Sequence, residues 1–167
     1  LELSRIEARE LRIDLEPVDL RAEAERARDL LAIAAQARRT TVTVAVPDGV
    51  SEVLADRGAL EHVLTNLLEN AIKYSPEGST VTVSAERRGA TVRAAVEDDG
   101  PGIEARHLPR LFERFYRVDA GRSRQVGGTG LGLAIVKHLA EAMGGAVGVE
   151  SALGRGSRFW VDLPRAP

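Results

Sequence analysis

Apolar residues recur along this chain at two spacings, and the switches between them divide it into helices and strands. Leu3 and Ile6 share one side of the stretch from Leu1 to about Asp14, which predicts a helix. Pro17 ends it, since proline cannot donate to a helix ladder and restricts the residue before it. Asp19 reads as the N-cap of a second helix through 20–39, with Leu20, Ala24, Ala27, Leu31 and Ala34 at three- and four-residue steps. TVTVAVP (41–47) alternates with period two, as a half-buried strand does, and Val53-Leu54-Ala55 is a short extended segment. From Asp56 to Tyr74 a long helix is predicted, because Leu60, Val63, Leu64, Leu67, Leu68, Ala71 and Ile72 form one apolar stripe.

Ser75-Pro76-Glu77-Gly78 marks a turn. STVTVSAER and ATVRAAVED follow as two strands joined at Arg88-Gly89, an antiparallel hairpin. Residues 101–127 hold short apolar clusters without a long period. LGLAIVKHLAEAM is a helix stopped by Gly144-Gly145, and AVGVES and GSRFWVDLP close the chain as strands. This order predicts an α/β (α+β) two-layer sandwich, a mixed sheet of about five strands with three helices on one face.

Composition narrows the functional classes. The 167 residues amount to about one domain, and 44% hydrophobic residues suffice for a core. A formal net charge of −2 argues against a nucleic-acid binder, which carries a basic excess. The absence of cysteine excludes disulfides, a thiol nucleophile and thiolate metal sites. No apolar run approaches the roughly 20 residues that span a bilayer. Of the 23 basic residues only Lys73 and Lys137 are lysines, which makes Lys73 conspicuous where it lies.

On the Asp56–Tyr74 helix, His62, Asn66, Glu69, Asn70 and Lys73 fall within an arc of about 100° opposite the apolar stripe. Asparagine is a mediocre helix former, so two on one stripe ask for a reason. One reading is a solvated polar face. The other is a site offering uncharged oxygen ligands beside a cation, which suits magnesium shared with a triphosphate.

Two glycine-rich loops add to that second reading. Glu97-Asp98-Asp99-Gly100-Pro101-Gly102-Ile103 directly follows a strand, so a carboxylate stands beside a turn that a flat ligand can approach closely. An ionised Asp accepting from an exocyclic amine would select adenine over guanine. Gly127-Gly128-Thr129-Gly130-Leu131-Gly132-Leu133 opens a helix, whose free amides attract anions. It is neither a Walker loop nor the dinucleotide fingerprint. Between the loops, six arginines (106, 110, 114, 117, 122 and 124) face only Glu104, Glu113 and Asp119. A loop this long inside one domain reads as a lid over a polyanion, anchored by Phe112, Phe115 and Tyr116.

In this order the pieces resemble the catalytic, ATP-binding domain of bacterial sensor histidine kinases, within the GHKL superfamily of gyrase, heat-shock chaperone and mismatch-repair ATPases. The resemblance covers about residues 19–164 and rests on NLLENAIKYS (66–75), DDGPGI (98–103), LFERFYR (111–117), GTGLGL (128–133) and SALGRGSRF (151–159). Residues 1–16 resemble the tail of a dimerisation helix and its linker, leaving 17–167 as the catalytic domain.

The resemblance implies roles for particular residues. Asn70 matches the magnesium-coordinating asparagine, Asn66 a phosphate-supporting neighbour, and Lys73 the phosphate-contacting lysine; these three form the catalytic set. Tyr74 matches the aromatic beside the nucleotide and Asp98 the adenine-reading carboxylate, with Gly100, Gly102 and Ile103 shaping its turn. Arg117 matches a lid arginine that reaches phosphate. Gly128, Thr129, Gly130, Leu131 and Gly132 would place backbone around the triphosphate, and Ser157 a hydroxyl behind adenine.

In hydrolytic relatives a glutamate one turn before the metal asparagine activates water. Here that place holds Asn66, and an amide cannot act as a general base. The implied activity is therefore donation of the γ-phosphoryl of Mg·ATP to a histidine on a separate dimerisation domain. None of His62, His107 or His138 carries the acceptor pattern. The implied partners are that dimerisation domain and a response-regulator receiver domain, in a membrane-anchored sensor whose catalytic part is cytoplasmic. A regulatory nucleotide-binding module without catalysis, and a serine kinase of the anti-sigma type, are the alternatives.

Overall fold

The computed structural model describes residues 12–118 and 130–167. The expected first helix falls mostly on residues 1–11, outside the described residues, and residues 12–15 are not helical. The chain instead enters as a short strand, β1 (Glu16–Asp19), which pairs antiparallel with β3 (Glu52–Ala55). Pro17 is compatible with this because β1 belongs to a ribbon of only two strands, where one missing N–H costs little.

Asp19 caps α1 (Leu20–Leu30), its carboxylate accepting from the Ala22 N–H at 3.2 Å. The helix expected to run unbroken to residue 39 is interrupted at Leu31 and resumes as α2 (Ala32–Ala37). The interruption shifts the apolar register, so Ala35 rather than Ala34 is buried. Asp56 caps α3 (Arg57–Tyr74) by accepting from the Ala59 N–H at 2.9 Å. Each such cap contributes about 1 kcal/mol.

The main sheet has the order β2-β4-β5-β7-β6, built from Thr41–Ala45, Thr80–Arg88, Thr91–Asp98, Ser157–Pro164 and Ala146–Ser151. β2 pairs parallel with β4, and the other pairs are antiparallel. On one face Val81, Val83, Val92, Ala94, Val96, Phe159, Val161 and Leu163 are buried. They pack with the apolar stripe of α3 and with Val136, Leu139 and Ala140 of α4 (Gly132–Ala142) in a single core. The other face is polar, as one-sided antiparallel sheets permit. There Arg93 holds Asp162 at 2.8 Å and lies 3.6 Å over the Trp160 ring, while Arg158 contacts Glu97 at 3.2 Å. The expected two-layer sandwich with a mixed five-stranded sheet is thus present. Among the described residues, no helix is long and apolar enough to cross a membrane.

Two consequences position the site. The polar stripe of α3 is not on the core side, because the leucines take that side. The register also places Asp98 of β5, Ser157 of β7 and Ser151 of β6 at one level, at the end of the sheet.

Candidate nucleotide site

The polar stripe of α3 and the end of β5 meet in one cavity of about 910 Å³. Asn66, Glu69, Asn70, Lys73 and Tyr74 line it from α3. Asp98 and Ser157 line it from the sheet, and Gly102 and Ile103 from the loop after β5. Arg117, Gly130 and Gly132 complete the contribution of the residues expected from sequence. Gly128 and Thr129 lie outside the described residues. Gly100 and Leu131, the latter at the N-cap position of α4, are not among the residues that line the cavity.

The α3 side offers amides and one ammonium. Asn66, Asn70 and Lys73 are half-buried. Asn66 lines the cavity, but its Nδ2 is fully buried and has no partner among the described protein atoms. Such an orphan costs about 1–3 kcal/mol unless something accepts from it. Lys73 Nζ lies 3.3 Å from Glu69 Oε1.

The sheet side offers an acceptor. Asp98 is half-buried and its Oδ1 accepts from the Gly100 N–H at 2.8 Å. Burial pushes its pKa above the ordinary carboxylate value, against the N–H groups of Gly100 and Ser157, which lower it. Gly100 is required here because a Cβ would stand 2.7 Å from Asp98 Oδ1 and 2.9 Å from the Tyr74 carbonyl oxygen. Gly102 has φ +78°, and a Cβ there would come within 2.0 Å of the Ala152 carbonyl oxygen. The loop after β5 is therefore pressed against the β6–β7 turn, and Gly154 N–H donates to Pro101 C=O at 2.8 Å.

Residues 105–110 form a 3-10 turn that begins the arginine-rich segment. His107 is buried there and hydrogen-bonds Tyr116 Oη through Nδ1, while Arg110 lies 4.5 Å over the Tyr116 ring. Phe112 meets Phe159 edge-on at 6.2 Å, so Phe112 and Tyr116 act as the expected anchors. Phe115 does not: it is 68% exposed. Its φ of +63° turns it outward as its N–H donates to Gly130 C=O at 2.9 Å. That bond joins the two sides of segment 119–129.

The family model described as "Histidine kinase-, DNA gyrase B-, and HSP90-like ATPase" matches residues 55–167, more than half of the chain. The chain belongs to this ATPase family. The sensor-like histidine kinase SenX3 of Mycolicibacterium smegmatis is 42% identical over 167 residues, all of this chain and 43% of that relative. Sensor protein GacS of Pseudomonas syringae is 39% identical over 168 residues, 98% of this chain and 18% of the relative. Full-length ShkA in complex with AMPPNP superposes with a TM-score of 0.84 at 36% identity, over 98% of this chain and 34% of ShkA. The mycobacterial sensor histidine kinase MprB gives 0.77 at 31% identity, over 92% of this chain and 99% of that one. The chain spans less than half the length of the curated relatives it matches.

Within this ATPase-family domain, sequence reasoning missed Glu69, His107 and Leu153 as cavity-lining residues. Glu69 was legible on the polar arc but had no chemistry of its own to single it out. His107 and Leu153 reach the wall only through tertiary packing. Ser151, whose Oγ contacts Ser157 Oγ at 2.9 Å, was also passed over.

Proposed function

We propose that this chain binds Mg·ATP in the α3–β5 cavity and donates the γ-phosphoryl to a histidine on a dimerisation domain of the same sensor kinase. The single observation that carries the reading is the placement, across one cavity, of an amide-and-ammonium stripe opposite a half-buried carboxylate between close-packed glycine turns. A cavity of 910 Å³ is of the size that encloses a nucleotide-sized ligand. The carboxylate and Ser157 suit the adenine edge. Asn66, Lys73 and Arg117 line the cavity and suit phosphate oxygens.

Among the described residues, no three His, Cys, Asp or Glu side chains are grouped to hold a metal. A magnesium ion would rest on the Asn70 amide oxygen and the phosphates of the nucleotide, and when bound it supplies charge neutralisation. The remaining contribution is positional. The rigid α3 and β5 hold the two ends of the nucleotide, so the terminal phosphate is presented at a fixed place, the general logic of phosphoryl transfer. With Asn66 where a base would stand, water is not activated.

Residues 1–16 serve in this reading as the end of the dimerisation-domain helix and its linker, and the whole protein is a membrane-anchored sensor that signals to a response-regulator receiver domain. The test mixes this chain with a separately produced acceptor-histidine domain and γ-labelled ATP. Acid-labile, base-stable label on the acceptor is expected. Binding without transfer points to a purely regulatory module, and acid-stable label on serine points to a serine kinase.

A further inference from the structure

We infer that Ser151 determines nucleotide specificity by fixing the hydroxyl of Ser157 as a hydrogen-bond acceptor. The inference rests on the reading of the cavity as an adenine nucleotide site. Ser151 Oγ makes three contacts: 2.9 Å to the Ile103 N–H, 2.8 Å to the Gly156 carbonyl oxygen and 2.9 Å to Ser157 Oγ. A serine hydroxyl has one proton to give and lone pairs to receive. The Ile103 N–H can only donate, so it takes a lone pair of Ser151. The Gly156 carbonyl can only accept, so it takes the one proton. The third contact is then possible only if Ser157 donates to Ser151.

This allocation has a consequence for the cavity. With its proton committed to Ser151, Ser157 Oγ has only lone pairs left to offer. Its neighbour across the β5–β7 pair is Asp98, whose ionised carboxylate is also an acceptor. Both line the same cavity, so the floor presents two acceptors and no hydroxyl donor. The exocyclic amine of adenine carries two N–H groups and matches this pattern. A purine with a carbonyl at that position sets oxygen against oxygen and leaves buried acceptors unpaired, which costs far more than a missing contact. Gly156 is itself buried, so its carbonyl has no ready substitute for the Ser151 proton. Ser151 is a positioning residue in this scheme: it acts through Ser157.

The test is calorimetry of the 167-residue chain with ATP and with inosine triphosphate, which carries a carbonyl where ATP has its amine, both at saturating magnesium. Wild type is expected to prefer ATP. Ser151→Ala releases the Ser157 proton to turn towards the cavity, and the ATP-to-ITP affinity ratio should fall about tenfold, the scale of one hydrogen bond. Ser151→Thr keeps the hydroxyl and should keep the ratio. A loss of packing alone would weaken both nucleotides together and leave the ratio unmoved, which overturns the inference. Ser157→Ala leaves the Ile103 and Gly156 bonds of Ser151 intact and should lower the ratio to a similar extent; an unchanged ratio there also overturns it. Equal binding of ATP and ITP by wild type refutes the acceptor floor while sparing the nucleotide site, whereas no binding of either refutes the site itself.

Discussion

Lys73 and Glu69 are paired across one turn of α3, ammonium to carboxylate at 3.3 Å, on the face that lines the cavity. The pair is half-exposed and of the helix i, i+4 kind, so its contribution to stability is only about 0.3–0.5 kcal/mol. Its effect on a polyanionic ligand is larger, because Glu69 adds a negative charge to the wall and occupies the lysine. Glu69→Gln should leave the melting temperature nearly unchanged and strengthen ATP binding, about two- to fivefold at low salt. The gain should shrink as salt is raised. Calorimetry at two ionic strengths checks this; weaker binding in the variant would show that the carboxylate serves the ligand instead of competing with it.

Asp98 sets function against stability. Burial raises its pKa over that of the unfolded chain, so between those two pKa values the folded state holds the proton more firmly. Stability therefore declines as pH rises through that window and stays at the lower level above the folded pKa. Asp98→Asn removes this dependence. The variant is expected to be at least as stable as wild type at neutral pH, with a flatter stability profile on the acid side. Its ATP affinity should fall roughly 10- to 150-fold with the loss of a charge-assisted bond of about 1.5–3 kcal/mol. Denaturant titrations across pH, paired with nucleotide binding, separate the two effects. Unchanged affinity would remove Asp98 from the adenine edge.

Much of this arrangement was legible in the sequence because periodicity and chemistry agreed on it. The leucine stripe of α3 settled which way Asn66, Asn70 and Lys73 face, and Asp19 and Asp56 announced their helix starts. The break at Leu31 was not legible, since an alanine-rich run satisfies a continuous helix and an interrupted one equally well. β1 was hidden for a different reason: Pro17 reads locally as a helix stop, and only pairing with β3 makes the segment a strand. Phe115 looked like an anchor by residue type, yet its backbone φ points it to solvent. The contacts of Ser151 bring together three segments distant in sequence, and no local pattern encodes them.

Asn70 offers an amide oxygen, and among the described residues no three His, Cys, Asp or Glu side chains are grouped to hold a metal, so its hold on a divalent ion depends on the nucleotide. Asn70→Ala should therefore leave the fold intact and abolish the magnesium dependence of ATP binding. In wild type, chelating the metal is expected to weaken affinity; in the variant, chelation should change nothing. Titrations with and without chelator decide it. Equal weakening in both proteins would place the ion elsewhere.

Asn66 separates transfer from hydrolysis. Its amide cannot take a proton from water, and its Nδ2 is a buried donor with no partner among the described protein atoms. Replacing it with glutamate keeps the length to within one methylene and supplies a base one turn before Asn70. In that half-buried setting the carboxylate pKa should rise towards neutrality, into the range useful for activating water. Asn66→Glu is expected to hydrolyse ATP without any acceptor domain, at a rate at least tenfold above wild type, given that general-base catalysis contributes about 10²–10⁴-fold when well placed. Transfer to an acceptor histidine should fall, because the γ-phosphoryl is lost to water and the phosphates meet a new negative charge. Measuring phosphate release beside histidine labelling tests both halves. A variant that still binds ATP but releases no phosphate would show that the cavity excludes water at this position, and that the choice of amide does not by itself protect the nucleotide.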